Sequence, residues 1–250
     1  MLLHIFKQNV KRLLRGAGYE VVRVRGDRPM HGPLLHFRNF LSLYFKHVSQ
    51  DFFFINVGAN DGKIKDPIYE FVQRYRLSGI AIEPQQDVYK RLVQNYKNIP
   101  TVACANVALS THDGVQTLYT VKDSYKTDEN FFSVTGIASF DKDVLRKTLS
   151  PKVPPKSMVD SFIDETEVEC LTFASLVRRY NVHKIDLLQI DCEGYDLEIL
   201  KMFDFDRYHP SLVNYESKHL SPTEKQEGED LLRSKGYEVF THGSDTCGFT

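Results

Sequence analysis

The stretch Phe54-Ile-Asn-Val-Gly-Ala-Asn-Asp-Gly62 decides the fold. Phe52–Val57 is a continuous apolar run, the pattern of a central strand buried on both faces. It runs straight into Gly58-x-Asn60-x-Gly62, and an amphipathic segment follows. Glycines at such a turn let the backbone approach a ligand closely, and the amides of the turn can hydrogen-bond its polar groups. The spacing departs from the dinucleotide fingerprint G-x-G-x-x-G. Asn60 and Asp61 also place oxygen acceptors where a pyrophosphate needs donors, which favours a cationic or zwitterionic ligand.

Outward from this turn, short apolar runs alternate with amphipathic segments, the signature of βαβ units and a mostly parallel sheet with helices on both faces. Downstream, Ile68–Leu77 and Asp87–Tyr96 read as helices, and Gly79–Ile82 and Thr101–Leu109 as strands. Val115–Val121 alternates like an antiparallel strand. Regularity then fails over 122–160, which reads as an insertion on the ligand-binding face with a short helix near Lys142–Leu149. The alternation resumes with a helix over Thr172–Tyr180, capped by Thr172, and a strand over Ile185–Ile190. A helix over Tyr195–Phe203 and a strand over Ser211–Tyr215 come next. Pro222 opens a helix to Lys235 that Gly236 ends, and Tyr237–Thr241 is a strand. Upstream, a basic irregular stretch, Arg23–Pro33, separates an amphipathic helix over 34–48 from a basic amphipathic N-terminal one. That organisation predicts a helical extension over 1–48 and one α/β domain over 49–250. The N-terminal helix packs on its own domain, lies on an anionic membrane surface, or docks on a partner.

Composition bounds the function classes. With 250 residues, 42% hydrophobic and 26% charged, the chain can bury a full core without metal or disulfide support. A net charge of −1 supplies no positive field for phosphates, so no nucleic-acid partner is expected. Cys104, Cys170, Cys192 and Cys247 lie far apart with no C-x-x-C pair, which fits a reducing, cytoplasmic setting. No apolar run approaches the roughly 20 residues needed to span a bilayer.

The strand ends carry the chemistry. Glu83 stands 21 residues after Gly62, in A-I-E-P, where a carboxylate can accept both hydroxyl protons of a ribose. Pro84 then turns the chain out of the strand. S-adenosylmethionine, with its ammonium, sulfonium and ribose, suits both this acid and the oxygen-rich turn. Asn106 ends the third strand and either reads an adenine edge or forms the turn. The fourth ends in Leu188-Gln-Ile-Asp191-Cys-Glu193-Gly194. One carboxylate there can be raised in pKa by the other and by burial, which suits a general base, or it caps the next helix. Cys192 reads as a small hydrophobe. The fifth ends in Val213-Asn-Tyr-Glu216-Ser-Lys218-His219, which offers Glu216 and His219 for substrate binding or proton transfer.

Taken together, N-V-G-A-N-D-G, A-I-E-P, A-N-V-A-L-S, L-L-Q-I-D-C-E-G-Y-D-L-E-I-L and V-N-Y-E-S resemble the FkbM family of S-adenosylmethionine-dependent methyltransferases over about residues 50–240. The resemblance implies the class I methyltransferase fold, a Rossmann-like seven-stranded sheet with one antiparallel strand. It also implies methyl transfer to an oxygen, typically a hydroxyl of a sugar, polyketide or other secondary metabolite. Gly58, Asn60 and Gly62 would carry the methionine end, Glu83 the ribose and Asn106 the adenine side. Asn56, Asp61, Pro84 and Asp191 complete the candidate cofactor set, and Asp191, Glu193, Glu216 and His219 are the catalytic candidates. Asn56 stands where the family often has an acid, which weakens a charge-based grip on the amino group. Thr246–Thr250 either begins the closing antiparallel strand or the chain stops short of it.

Other classes fit less well. A nicotinamide oxidoreductase lacks its fingerprint, and nucleic-acid methylation is disfavoured by D-C-E-G in place of an N-P-P-Y-type clamp. A non-catalytic adaptor would use the N-terminal helix to dock on a glycosyltransferase or membrane. Asp191, Glu193, Glu216 and His219 could ligate Mg²⁺ or Mn²⁺, although no metal is expected. Acceptor contacts are expected from 122–160 and the loop after Glu216. Phe131, Phe132 and Phe140 either stack on a sugar face or close the core.

Overall fold

The strand predicted from the opening motif forms as β1 (Phe53–Val57), at the centre of the computed structural model. The structure describes residues 37–45, 51–126, 134, 136–153 and 156–250. The expected N-terminal helix, the stretch 23–33, Phe131 and Phe132 lie outside the described residues.

β1 pairs in parallel with β2 (Ser78–Ile82) on one side and β8 (Leu187–Ile190) on the other. β3 (Val102–Ala105) extends the sheet beyond β2, and β9 (Leu212–Glu216) beyond β8, again in parallel. The apolar run of each strand explains this arrangement, because inner parallel strands are dry on both faces. β11 (Asp245–Phe249) runs antiparallel between β9 and β10 (Glu238–His242), giving a seven-stranded order β10-β11-β9-β8-β1-β2-β3. Asp245–Phe249 therefore supplies the closing strand. Register matters most for the site. Val57 is level with Ile82 and Ile190, so Gly58, Glu83 and Asp191 emerge side by side at the carboxyl rim.

Helices α2 (Tyr69–Tyr75), α3 (Gln86–Tyr96), α5 (Phe173–Arg179), α6 (Asp196–Met202) and α8 (Pro222–Ser234) form at or within a few residues of their expected places, and the short α7 (Phe205–Tyr208) forms where the sequence pattern predicts no helix. Thr172 caps α5 by accepting from Ser175 N, and Ser221 with Glu224 forms a capping box on α8. Ahead of β1, α1 (Phe37–Tyr44) lays Phe37, Phe40, Leu41 and Tyr44 into the core that also holds Phe54 and Phe249. The Phe40 ring lies 5.5 Å from that of Phe249. Each such buried side chain contributes about 1.5–3 kcal/mol.

A second sheet, ordered β4-β7-β5-β6, was not expected as a sheet; of its strands only the two-residue β6 falls within the 122–160 stretch expected to be irregular. The predicted strand Thr101–Leu109 breaks at Asn106, and its end, β4 (Ala108–Leu109), pairs with β7 (Ile163–Leu171) in this other sheet. β5 (Gly114–Val121) runs antiparallel to β7 along its whole length and to β6 (Ala138–Ser139). β7 went unassigned in the sequence because Asp164, Glu165, Glu167 and Glu169 interrupt its apolar positions. They are exposed here, since the ribbon is wet over most of its length. α4 (Lys142–Leu149), capped by Asp141, closes a small core of its own with Val121, Ile137, Leu145, Leu149 and Ile163.

Candidate active site

The rim of β1, β2, β8 and β9 opens into a cavity of about 810 Å³, roofed by the second sheet. Gly58 has φ +75, and a Cβ on it would lie 1.9 Å from the Asp191 carbonyl oxygen. The turn thus presses against the end of β8, which only glycine permits. Its amides are not free for a ligand. Gly58 N and Ala59 N donate to Ile82 O, and Asn60 N donates to Glu83 Oε2 at 3.0 Å. The glycine turn therefore holds the rim together and presents side chains rather than N–H groups.

Asn56, Gly58, Asn60, Glu83, Pro84 and Asp191 of the expected cofactor set line the cavity. Asp61, Gly62 and Asn106 do not. Asp61 Oδ1 accepts from Lys63 N and Ile64 N and so shapes the underside of the turn. Gly62 has φ +71, and a Cβ there would meet Leu92 and Tyr96 at 2.4 Å. Asn106 Nδ2 donates to the carbonyls of Glu83 and Pro84 and holds the bend between β3 and β4, the turn-forming alternative of its two readings.

Glu83 is 4% exposed, and each oxygen accepts one backbone N–H: Oε1 from Gln85, Oε2 from Asn60. These contacts fix the carboxylate and leave further lone pairs for two hydroxyl donors. Burial pushes its pKa up to about 7, against those hydrogen bonds. Asn56 donates to Asp66 Oδ2 at 2.8 Å, while Asp66 Oδ1 accepts from Ile68 N and Tyr69 N ahead of α2. Asp66 lines the same cavity and is likewise pushed up to about 7 by burial. The acid missing at position 56 is thus supplied from ten residues on. Asp-Pro before a helix signals a cap, but nothing in its spacing points into the cavity.

On the other side, desolvation, followed by the charges of Glu216, Asp196 and Glu193, raises the Asp191 carboxyl well above the usual range. Glu193 sits at φ +48, which brings its Oε2 to 2.8 Å from His219 Nε2. Desolvation opposes ionisation of Glu193, but the His219 hydrogen bond and the Lys218 charge hold its pKa below the ordinary value. The same hydrogen bond raises His219. Glu216 pairs through Oε1 with Lys218 Nζ, and desolvation still raises its pKa. Asp196, fully buried, accepts from Cys192 N and Gly194 N and so sets the turn that aims Glu193. Sequence reasoning missed Asp196, which looked like an ordinary first-turn acid. From the turn ahead of β6, Gly136 approaches closely enough that a Cβ on it would lie 3.0 Å from Asn60 Nδ2 and 3.7 Å from Glu193 Oε1. Phe140 packs edge-on against Tyr195, with centroids 5.8 Å apart.

These residues fit S-adenosylmethionine. Asp66, Glu83, Asp191 and Glu216 confront the cavity with carboxylates, as a sulfonium and an ammonium require, and the cavity lies within the usual size range for such ligands. Lys65, Lys147 and Lys152 also line it.

The strand order, the single antiparallel strand and the rim cavity define a class I methyltransferase fold. The methyltransferase FkbM domain matches residues 56–239, and the chain belongs to that family, which implies S-adenosylmethionine as methyl donor. The crystal structure of a methyltransferase FkbM from Methylobacillus flagellatus KT superposes with TM-score 0.50 and 11% identity, covering 82% of this chain and 44% of that one. This chain therefore spans less than half of that structure. The METTL16 MTase domain gives TM-score 0.46 and 11% identity over 96% of this chain and 78% of that one. A ribosomal protein L11 methylase from Lactobacillus delbrueckii subsp. bulgaricus gives 0.41 and 10% over 86% and 78%. A search of curated proteins returned no match. Among the described residues, no helix is long and apolar enough to cross a membrane.

Proposed function

We propose that the protein is an S-adenosylmethionine-dependent O-methyltransferase acting on a hydroxyl of a sugar, glycan or secondary metabolite. One observation carries this reading: a fixed, buried Glu83 stands level with the Gly58 turn and with Asp191 at one cavity rim. When bound, the cofactor supplies a methyl group made electrophilic by a positively charged sulfur. Glu83 would accept the two ribose hydroxyls, with Pro84 beside it as an apolar wall. Asp66, oriented by Asn56, would face the methionine ammonium. Asp191 would take the proton of the acceptor hydroxyl, for which a raised pKa suits it. Glu193 and His219, joined by a hydrogen bond, would orient the acceptor.

Calorimetric titration of S-adenosylmethionine into the wild type and Glu83→Ala tests the cofactor half. The expected result is one site per chain, weakened about 30-fold or more by loss of two charge-assisted hydrogen bonds. Equal affinity in the two proteins would overturn it. A labelled methyl donor offered with panels of hydroxylated acceptors, glycans foremost, tests the acceptor half. Transfer to nitrogen or carbon acceptors alone would overturn that half.

A further inference from the structure

We propose that Glu193, Glu216 and His219 form a divalent-cation site, holding a metal of the Mn²⁺ class and leaving its remaining positions to oxygen atoms of the acceptor. The three come from neighbouring elements: Glu193 follows β8, while Glu216 ends β9 and His219 lies in the loop after it. β8 and β9 run in parallel with Ile190 level with Tyr215, which brings these two rims together. One ligand atom from each residue lies within 4.8 Å of the others, within reach of a common ion after small side-chain rotations.

The hydrogen bonding at this cluster favours a cation. His219 Nε2 is 2.8 Å from Glu193 Oε2 and 3.4 Å from Glu216 Oε2. A single Nε2–H serves only one of them well. Glu216 Oε2 is left buried with no hydrogen-bond partner, on a side chain that is 6% exposed and lines the cavity. Lys218 engages the opposite oxygen, Oε1, and so does not relieve it. A carboxylate oxygen held this way, facing a second carboxylate across one imidazole nitrogen, suits a dication in place of that proton. Two carboxylates and one imidazole suit Mn²⁺ better than a soft metal that selects thiolates. Three protein ligands leave room for two or three oxygens, as a hydroxylated acceptor offers. The site stands on the chain's own geometry; only its role toward an acceptor rests on the methyltransferase reading.

The test uses the full chain stripped with chelator and titrated with MnCl₂, followed by electron paramagnetic resonance and calorimetry. Wild type should bind one Mn²⁺ per chain. Glu216→Gln and His219→Gln should each weaken binding by about tenfold or more, while Asp164→Asn on the exposed face of β7 should leave it unchanged. Thermal melts identify any variant that fails to fold, and either remaining variant then decides. No saturable Mn²⁺ in the wild type, or unchanged affinity in a folded Glu216→Gln or His219→Gln, would overturn the site. S-adenosylhomocysteine binding is measured on the same samples. Mn²⁺ binding without nucleoside binding would defeat the methyltransferase reading and leave the metal site standing; the reverse would defeat the metal site alone.

Discussion

Replacing Glu83 with glutamine separates the cost of burying its charge from the rest of the fold. Burial moves this carboxyl from 4.5 to about 7 in the folded chain. At 1.36 kcal/mol per pH unit, that interval is worth on the order of 3 kcal/mol. The sign follows from linkage: the unfolded chain loses the proton first, so rising pH favours unfolding. The stability tied to this proton is fully present below 4.5 and is lost as pH rises through 7. Most of it, roughly 2–3 kcal/mol, falls between pH 5 and pH 8. Glutamine has no such proton. Its amide must also face one of the two backbone N–H groups, from Asn60 or Gln85, at a fixed cost that does not vary with pH. Asp66 and Asp196, also near 7, titrate in both proteins and cancel in the difference. Urea unfolding of both proteins at pH 5, 6.5 and 8 should show the wild type losing roughly 2–3 kcal/mol more than Glu83→Gln. Parallel stability profiles would refute the reasoning.

Other substitutions probe separate parts of the account. Gly58→Ala forces a Cβ into the Asp191 carbonyl at φ +75 and should destabilise by at least about 2 kcal/mol in urea unfolding; a neutral result would mean the rim is not closed there. Leu145→Ala empties the small core under the second sheet and should cost about 2–5 kcal/mol. Hydrogen exchange should then quicken in β5 and β7 before it does in β1; uniform quickening would contradict a separate small core. Asp191→Asn should slow single-turnover methyl transfer about 10²–10⁴-fold while cofactor affinity changes little. An equal loss in binding and turnover would place Asp191 in cofactor binding instead.

Much of the main sheet was legible because its strands are dry on both faces and read as unbroken apolar runs. Phe52–Val57 and Ile185–Ile190 foretold β1 and β8 within a residue or two. The second sheet was not, because β7 carries charges on its wet positions and its partners lie 40 or more residues away. In the site, Gly58, Glu83, Asp191 and Glu193 announced themselves by standing at strand ends. The function of the glycine turn was misread in one respect: its amides bind Ile82 and Glu83, a pairing set by strand register. Asp66 and Asp196 stayed hidden because each looks locally like an acid at a helix start, and only the fold brings them to the cavity and to the turn that carries Glu193. Asn106 illustrates the converse, a strand-end amide whose Nδ2 donates to backbone carbonyls.

The central claim is that Glu83 grips the sugar of a nucleoside at the sheet rim. A crystal structure of the protein grown with saturating S-adenosylhomocysteine tests it most directly. The account predicts both ribose hydroxyls within hydrogen-bonding distance of the Glu83 carboxylate, with the sulfur turned toward Asp191. An empty rim under saturating ligand, or a nucleoside bound elsewhere with Glu83 untouched, would contradict it.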